Sequence, residues 1–299
     1  MTYWRTYVTP RTLDDALAAL RRSSGVARVV AGGTDLLLDL QQGRHLPVHT
    51  LVDVTRLPEL TEIRIEAQTL FLGAAVTHAV LAADQRLKLQ ASALCEACAL
   101  IGGPQVRNVA TLGGNVAHAL PAADATIALL ALGAQAELAS VDGGRQTLPL
   151  ESLFAGPGQT TFDRARTIIV GFHLPLRRSR QGSAFRRVMR PQGVAIAILN
   201  LAVWVELDGQ ALIADARVAA GPSAPIPQRL RTAEAALIGQ PASNVDYAAV
   251  SDGMRYESRL RSSVHRATAD YRRHLLGVLL ERALPAALED ARRPLEDGA

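Results

Sequence analysis

Residues 102–124 read GGPQVRNVATLGGNVAHALPAAD. This stretch holds four glycines (Gly102, Gly103, Gly113, Gly114), two asparagines (Asn108, Asn115), Gln105 and a single acid, Asp124. An Ala- and Leu-rich segment, Leu89–Leu100, runs into it and reads as a helix. A core segment would not carry so many small and amide residues, because buried amides must find hydrogen-bond partners. A loop that presents backbone and amide groups to a ligand explains both the glycines and the amides. A purely structural loop is the alternative.

Working outward, a second glycine-bearing segment lies nearer the N-terminus: Val29-Val30-Ala31-Gly32-Gly33-Thr34-Asp35-Leu36. It reads as strand, glycine pair, helix start. Without Cβ atoms the backbone there can expose successive N–H groups to an anion, and a phosphate at a helix N-terminus gains from unpaired N–H groups and the helix dipole. Taken alone, the pair also fits an ordinary strand-to-helix turn. In the longer segment the Thr111 hydroxyl and the N–H groups of Gly113 and Gly114 are candidates for a pyrophosphate, and Asp124 for a ribose hydroxyl or an amine. Neither segment carries Gly-x-Gly-x-x-Gly or Gly-Lys-Ser/Thr, so a Rossmann domain and a Walker-type ATPase fit poorly.

Around these segments the chain alternates short elements. Thr12 reads as the N-cap of an amphipathic helix Leu13–Arg22, with Asp14 and Asp15 in the first turn, where the dipole favours acid. Ala27–Val30 and Leu51–Val54 read as strands. Glu62–Glu66 and Thr69–Gly73 read as a hairpin. Thr126–Leu132 reads as helical. Ala136–Ser140 and Arg145–Leu148 flank the turn signal Asp142-Gly143-Gly144, and Thr167–Leu174 is a further strand. Leu176–Gly182 reads as a basic linker. Strands at Phe185–Met189, Ala195–Glu206 and Ala211–Ala220 follow, then an irregular Gly221–Pro227. From Thr232 onward the pattern is helical, most strongly over Ala267–Leu284, and the last dozen residues read as a frayed polar tail. Mixed order followed by strands-then-helices indicates α+β rather than a doubly wound sheet.

Bulk properties exclude several classes. The chain has 299 residues, 48% hydrophobic and 20% charged, which is ordinary globular composition. No apolar run approaches the roughly 18–20 residues of a membrane span, and Met1-Thr2-Tyr3-Trp4-Arg5 does not open a signal peptide. The expected location is the cytoplasm. The net charge of +4 is carried by arginine, with Lys88 the only lysine. Aromatic residues are 4% of the chain, so stacking platforms for nucleic acid are scarce and nucleic-acid binding is not expected. The two cysteines, Cys95 and Cys98, are too few for a disulfide framework or a closed metal site, and they read as buried helix residues.

The motifs together resemble the FAD subunit of the xanthine dehydrogenase and carbon monoxide dehydrogenase family, the molybdenum hydroxylases. The resemblance rests on Ala31-Gly32-Gly33-Thr34-Asp35-Leu36-Leu37, Gln105-Val106-Arg107-Asn108, Thr111-Leu112-Gly113-Gly114-Asn115 and Pro121-Ala122-Ala123-Asp124. Phe185-Arg186-Arg187-Val188-Met189-Arg190, ahead of Ala195-Ile196-Ala197, resembles the start of that family's C-terminal domain, and Tyr271–Leu279 its terminal helix. The resemblance covers roughly Tyr7 to Ala286. It implies a vanillyl-alcohol-oxidase or MurB-type FAD-binding fold of two α/β subdomains, plus a C-terminal domain of an antiparallel sheet with helices. The corresponding boundaries are 1–176 for the FAD-binding domain (subdomains about 1–55 and 56–176), 183–288 for the C-terminal domain and 289–299 for the polar tail.

By the same resemblance, Ala31, Gly32, Gly33, Thr34, Asp35 and Leu36, with Thr111, Gly113, Gly114 and Asn115, approach the FAD pyrophosphate. Asp124 hydrogen-bonds the cofactor, and Ile101 and Val170 make apolar contacts on the flavin side. The family often has a lysine near the flavin ring where this chain has Arg186 and Arg187. Arg187 is taken as the site residue, although the residues alone leave open which of the two is nearer. A cation there stabilises the reduced ring electrostatically. No residue of this chain is expected to be catalytic apart from the flavin.

The implied function is electron transfer from a [2Fe–2S] small subunit, through FAD, to NAD, a quinone or oxygen. A molybdopterin-binding large subunit would oxidise the substrate, the whole forming a dimer of heterotrimers. The alternative is a self-contained flavin-dependent oxidoreductase of the same fold, for which His118 is the one candidate base. His118 reads first as a polar loop residue. Arg259, Arg261, Arg266, Arg272 and Arg273 read as a solvated helix face, with contact to an acidic partner as the alternative.

Overall fold

A computed structural model describes residues 2–190 and 196–295. The chain divides into two compact units, each assembled from separate stretches. The first comprises Met1–Val80, Pro104–Ala119 and Ala134–Pro175, and the second Leu81–Gly103, Leu120–Gly133 and Leu176–Ala299.

In the first unit a three-stranded parallel sheet places Val48–Asp53 between Trp4–Val8 and Ala27–Val30. Parallel strands need a crossover, and the helix Leu13–Arg22 supplies the one from Trp4–Val8 to Ala27–Val30. The Thr12 hydroxyl accepts from the Asp15 N–H at 3.1 Å, capping it as expected. Leu13, Ala16 and Leu20, one face at helical spacing, are buried. A five-stranded antiparallel sheet runs Ile63–Glu66, Thr69–Gly73, Thr167–Pro175, Gln135–Ser140, Arg145–Pro149. Its central strand is almost wholly buried, as its unbroken apolar run requires. Leu13, Leu20, Val52, Leu60, Phe71, Ile168 and Val170 share one core.

The second unit is built on a four-stranded antiparallel sheet of Gln181–Met189, Ala197–Leu207, Ile213–Gly221 and Gln228–Arg229. The strand Ala197–Leu207 is buried along nearly its whole length. Alternation alone does not explain that. The helices Asp124–Ala131 and the long Ala269–Arg292 pack against it. The first of these is buried all round, as an apolar sequence with no polar face demands. Among the described residues no helix is long and apolar enough to cross a membrane.

Several expectations change. The segment expected as one helix, Leu89–Leu100, is two, Gln85–Gln90 and Ser92–Leu100, because Ala91 leaves the helical region at φ −150 and ψ 54. The break positions the Ser92 hydroxyl on the Ser183 carbonyl at 2.6 Å and the Asp290 carboxylate at 2.7 Å. The tail expected from 289 is helical to Arg292, with Asp290 and Ala291 buried; residues 296–299 lie outside the described residues. The Asp290 carboxylate holds it there by accepting the Ser183 N–H at 3.0 Å.

The linker Leu176–Gly182 is not a solvated tether. Arg177 is buried, and its guanidinium donates to the carbonyls of Gln181 (2.6 Å), Leu89 (3.1 Å), Arg293 (3.0 Å) and Asp290. The helix expected at Thr126 begins at Asp124, so the acid is its first residue. Ala195, expected as a strand start, lies outside the described residues, and the strand runs from Ala197.

Candidate functional site

In the first unit the two glycine segments meet. Ala31–Asp35 leaves the C-terminal end of the strand Ala27–Val30, and Gly33 adopts φ +68, a conformation that favours glycine. The backbone of the second segment lies directly on Gly32. A Cβ there would overlap the Val109 carbonyl oxygen and stand 2.8 Å from the Ala110 Cα. Farther along, His118 Nε2 is 3.8 Å from Asp35 Oδ1, a second tie between the segments. The first helical bond of the following turn is Leu37 N–H to the Gly33 carbonyl, 3.0 Å. Among the described residues the N–H groups of Gly32, Gly33, Thr34 and Asp35 bond to no acceptor. Consecutive N–H groups at a helix start are the donor set a diphosphate requires.

The second segment is arranged differently from the expectation. Thr111 caps the short helix Leu112–Ala117, and its hydroxyl accepts the Gly114 N–H at 3.1 Å. The Gly113 N–H donates to the Ala74 carbonyl at 2.7 Å. Both N–H groups expected to face a pyrophosphate are therefore taken up within the chain. Gly113 is glycine because a Cβ would stand 2.6 Å from the Ala74 Cβ. Together with Leu112 N–H to the Val76 carbonyl and His78 N–H to the Ala110 carbonyl, these bonds pin the segment that rests on Gly32. Gln105 and Asn108 are exposed, and Asn115 is half-buried. Val170 is fully buried in the core, and its carbonyl accepts the Ala74 N–H.

The second unit holds Asp124, Arg187 and Ile101. The Asp124 carboxylate is buried and accepts from Arg187 Nη1 and from Asn200 Nδ2, the latter at 2.6 Å. Burial pushes its carboxyl above the usual range, against the pull of the Arg187 guanidinium and the Asn200 hydrogen bond. Arg187 also donates to the Leu100 carbonyl. Two buried polar atoms in this cluster, Arg187 Nε and Asn200 Oδ1, have no partner among the described residues. Strand alternation sends Arg186 elsewhere, onto Glu96 at 2.9 Å. So Arg187, not Arg186, is the arginine joined to the acid of the motif. Ile101 ends the helix Ser92–Leu100 and is half-buried. Cys95 and Cys98 are buried free thiols, and burial pushes Cys95 up to about 12.

Two residues escaped the sequence reading. Asn200 sits mid-strand in an apolar run, where its amide was the only signal. His78 lies beside the capped turn with 1% of its surface exposed and, among the described residues, no partner for Nδ1. Burial, helped by the nearby Arg107 charge, lowers its pKa to about 4.

Comparison with known proteins gives the family. Residues 3–177 match the family described as FAD binding domain in molybdopterin dehydrogenase, and residues 183–287 the CO dehydrogenase flavoprotein C-terminal domain. The chain is 31% identical over 287 residues to the xanthine dehydrogenase FAD-binding subunit of Escherichia coli O157:H7, covering 95% of this chain and 96% of that one. It is 32% identical over 295 residues to the 6-hydroxypseudooxynicotine dehydrogenase complex subunit alpha of Paenarthrobacter nicotinovorans, covering 96% and 95%. Among solved structures, a chain of the carbon monoxide dehydrogenase of Hydrogenophaga pseudoflava matches with TM-score 0.88 and 28% identity, over 97% of this chain and 99% of that one.

Proposed function

The chain belongs to the FAD-binding subunits of the molybdopterin-dependent dehydrogenases, and from that premise we propose how its own residues hold the cofactor. The carrying observation is the row of four N–H groups from Gly32 to Asp35 that bond to nothing else among the described residues. They hold the FAD pyrophosphate. Thr111, Gly113 and Gly114 act one step back: they lock the segment that rests on Gly32, so the donors are oriented before the ligand arrives. Preorganised donors avoid the cost of ordering a loop on binding. Asp35, with His118 beside it, keeps the mouth of this turn polar. Ala31, Leu36, Asn115 and Ile101 remain proposed cofactor neighbours, as do Asp124 and Arg187, with Arg187 supplying positive charge to the flavin; Val170, expected there too, has no exposed surface to offer and serves the core instead.

Bound FAD supplies the redox chemistry, accepting electrons singly and releasing them in pairs. The chain is an oxidoreductase component that transfers electrons. Its donor in this reading is a [2Fe–2S] small subunit, beside a molybdopterin-binding large subunit, in a cytoplasmic dimer of heterotrimers. Residues 1–176 form the cofactor domain and 183–288 the C-terminal domain. Native mass spectrometry of the tagged chain expressed with its partners reads the stoichiometry directly.

The test of the cofactor reading is a visible spectrum. The purified chain is expected to carry flavin or to take up added FAD with a flavin band near one equivalent. Gly32→Val, which drives a side chain into the Val109 carbonyl, is expected to lose the flavin. Thr34→Val, which keeps the backbone, is expected to retain it. A folded but colourless wild-type chain that takes up no added FAD overturns the reading.

A further inference from the structure

The arginines near the C-terminus divide into two kinds. Arg255 and Arg273 pair with Asp252 (2.7 Å) and Asp270 (2.5 Å), as on a solvated helix face. Arg272 does not. Only 2% of its surface is exposed, its Nε has no partner, and among the described residues its guanidinium forms no hydrogen bond or ion pair. Arginine is almost never buried unless paired, and a buried charge without a counter-ion is unfavourable. The charges that face it have its own sign. Burial first, then Arg266 and Arg261, hold its pKa below the usual arginine range. Arg261 is exposed and Arg266 half-buried, and neither guanidinium has a partner among the described residues.

The scaffold beneath is built rather than loose. Leu260 and Ala267 pack on the core of the second unit. The Arg259 N–H donates to the Ser223 carbonyl at 2.7 Å, and the Ser263 N–H to the Ala267 carbonyl at 2.9 Å. The first turn of the long helix is already capped, since Ala269 N–H donates to Ser262 Oγ and Tyr271 N–H to Thr268 Oγ1. A ligand here would therefore be held by guanidinium groups and not by the helix terminus.

We propose that Arg261, Arg266 and Arg272 form a binding site for a phosphate-class oxyanion, separate in function from the flavin turn. The planar guanidinium fork matches tetrahedral oxyanions bidentately, and three such groups without an acid among them suit a dianion. The near-complete burial of Arg272 selects a small ion or a terminal phosphoryl group over a protein surface. The ligand is either free phosphate or the phosphoryl end of a small metabolite.

The test uses the full chain saturated with FAD, so that the flavin turn is filled, in phosphate-free buffer at constant ionic strength. Inorganic phosphate is titrated by calorimetry, with thermal unfolding in parallel. Saturable binding with a rise in Tm is expected. Arg272→Met is expected to weaken phosphate at least about tenfold and, being an uncharged replacement, to raise Tm in the absence of phosphate. Should Arg272→Met not fold, Arg266→Ala at the mouth of the site carries the test, with weakening of several-fold. Adenosine monophosphate in place of phosphate separates the sources. Equal affinity marks a free ion and tighter binding marks a phosphoryl ligand, and both uphold the site. The inference is overturned if wild type shows no saturable binding, if the variants bind phosphate as wild type does, or if hexaglutamate binds in an Arg272-dependent way while phosphate does not. Flavin content is read from the same samples, so loss of the cofactor reading is seen separately.

Discussion

Two buried arginine–aspartate clusters stand in the second unit, and they are not alike. In one, every polar group is matched. Arg177 donates to four carbonyls, and Asp290 accepts from Ser92, from the Ser183 backbone and, at 3.7 Å, faces Arg177 itself. In the other, Asp124, Arg187 and Asn200 engage one another but leave Arg187 Nε and Asn200 Oδ1 with nothing. An unmatched buried polar group costs about 1–3 kcal/mol. A cluster that only holds the fold together has no reason to carry that cost. The matched cluster is a structural pin joining the first helical segment, the sheet edge and the chain's end. The unmatched one sits on the motif that the family resemblance assigns to the cofactor.

The sharpest way to break this contrast is Arg177→Met. It leaves four carbonyls without their donor and the buried Asp290 carboxylate without its counter-charge, and a loss of about 3–5 kcal/mol in denaturant unfolding is expected, with flavin content unchanged in whatever protein folds. A milder result would mean that the matched cluster is not the pin.

His78 extends the comparison to the first unit. It is likewise buried with an unmatched nitrogen, and its pKa is lowered to about 4 from the ordinary 6.5. The unfolded chain binds the proton below 6.5 and the folded chain does not until about 4. Stability is therefore full above 6.5 and falls as pH drops through that window, by about 3 kcal/mol. His78→Gln should flatten the curve of stability against pH. An unchanged curve would remove His78 as its cause.

Arg187→Met should cost less than Arg177→Met, about 1–2 kcal/mol. Only one carbonyl loses its donor, and Asp124, already pushed toward its protonated form by burial, can take up a proton and keep Asn200. Equal losses at the two arginines would erase the distinction. The smallest effect belongs to Arg186→Ala. Its pair with Glu96 is about a third exposed on each side, and a change below about 1 kcal/mol is expected.

Much of this was legible beforehand, and the legible parts share a cause. The cap at Thr12, the strand Ala27–Val30, the hairpin before Gly73, the central strand after Thr167 and the α+β class all follow from contacts within a few residues or from periodicity. The family motif was legible because glycine, amide and acid at set spacing leave a chemical trace. Less legible was what those glycines do. Gly113 and Gly114 looked like donors to a ligand, yet their N–H groups are satisfied by Ala74 and Thr111, and Gly32 is required by the approach of Val109, a residue 77 positions away. The frayed tail and the linker failed for the same reason. Asp290 and Arg177 look solvated to any local reading, because the partners that bury them lie up to 198 residues off.

The amino-acid sequence by itself determined most of the elements, the class of fold and the family, since propensity, periodicity and motif spacing act over short range. Tertiary structure alone decided which polar groups are satisfied and which are left over: Arg187 rather than Arg186 on Asp124, Asn200 beside them, Arg272 without an acid among the described residues. Satisfaction is a property of three-dimensional neighbours, and a charge buried among distant residues has no signature in the order of the chain.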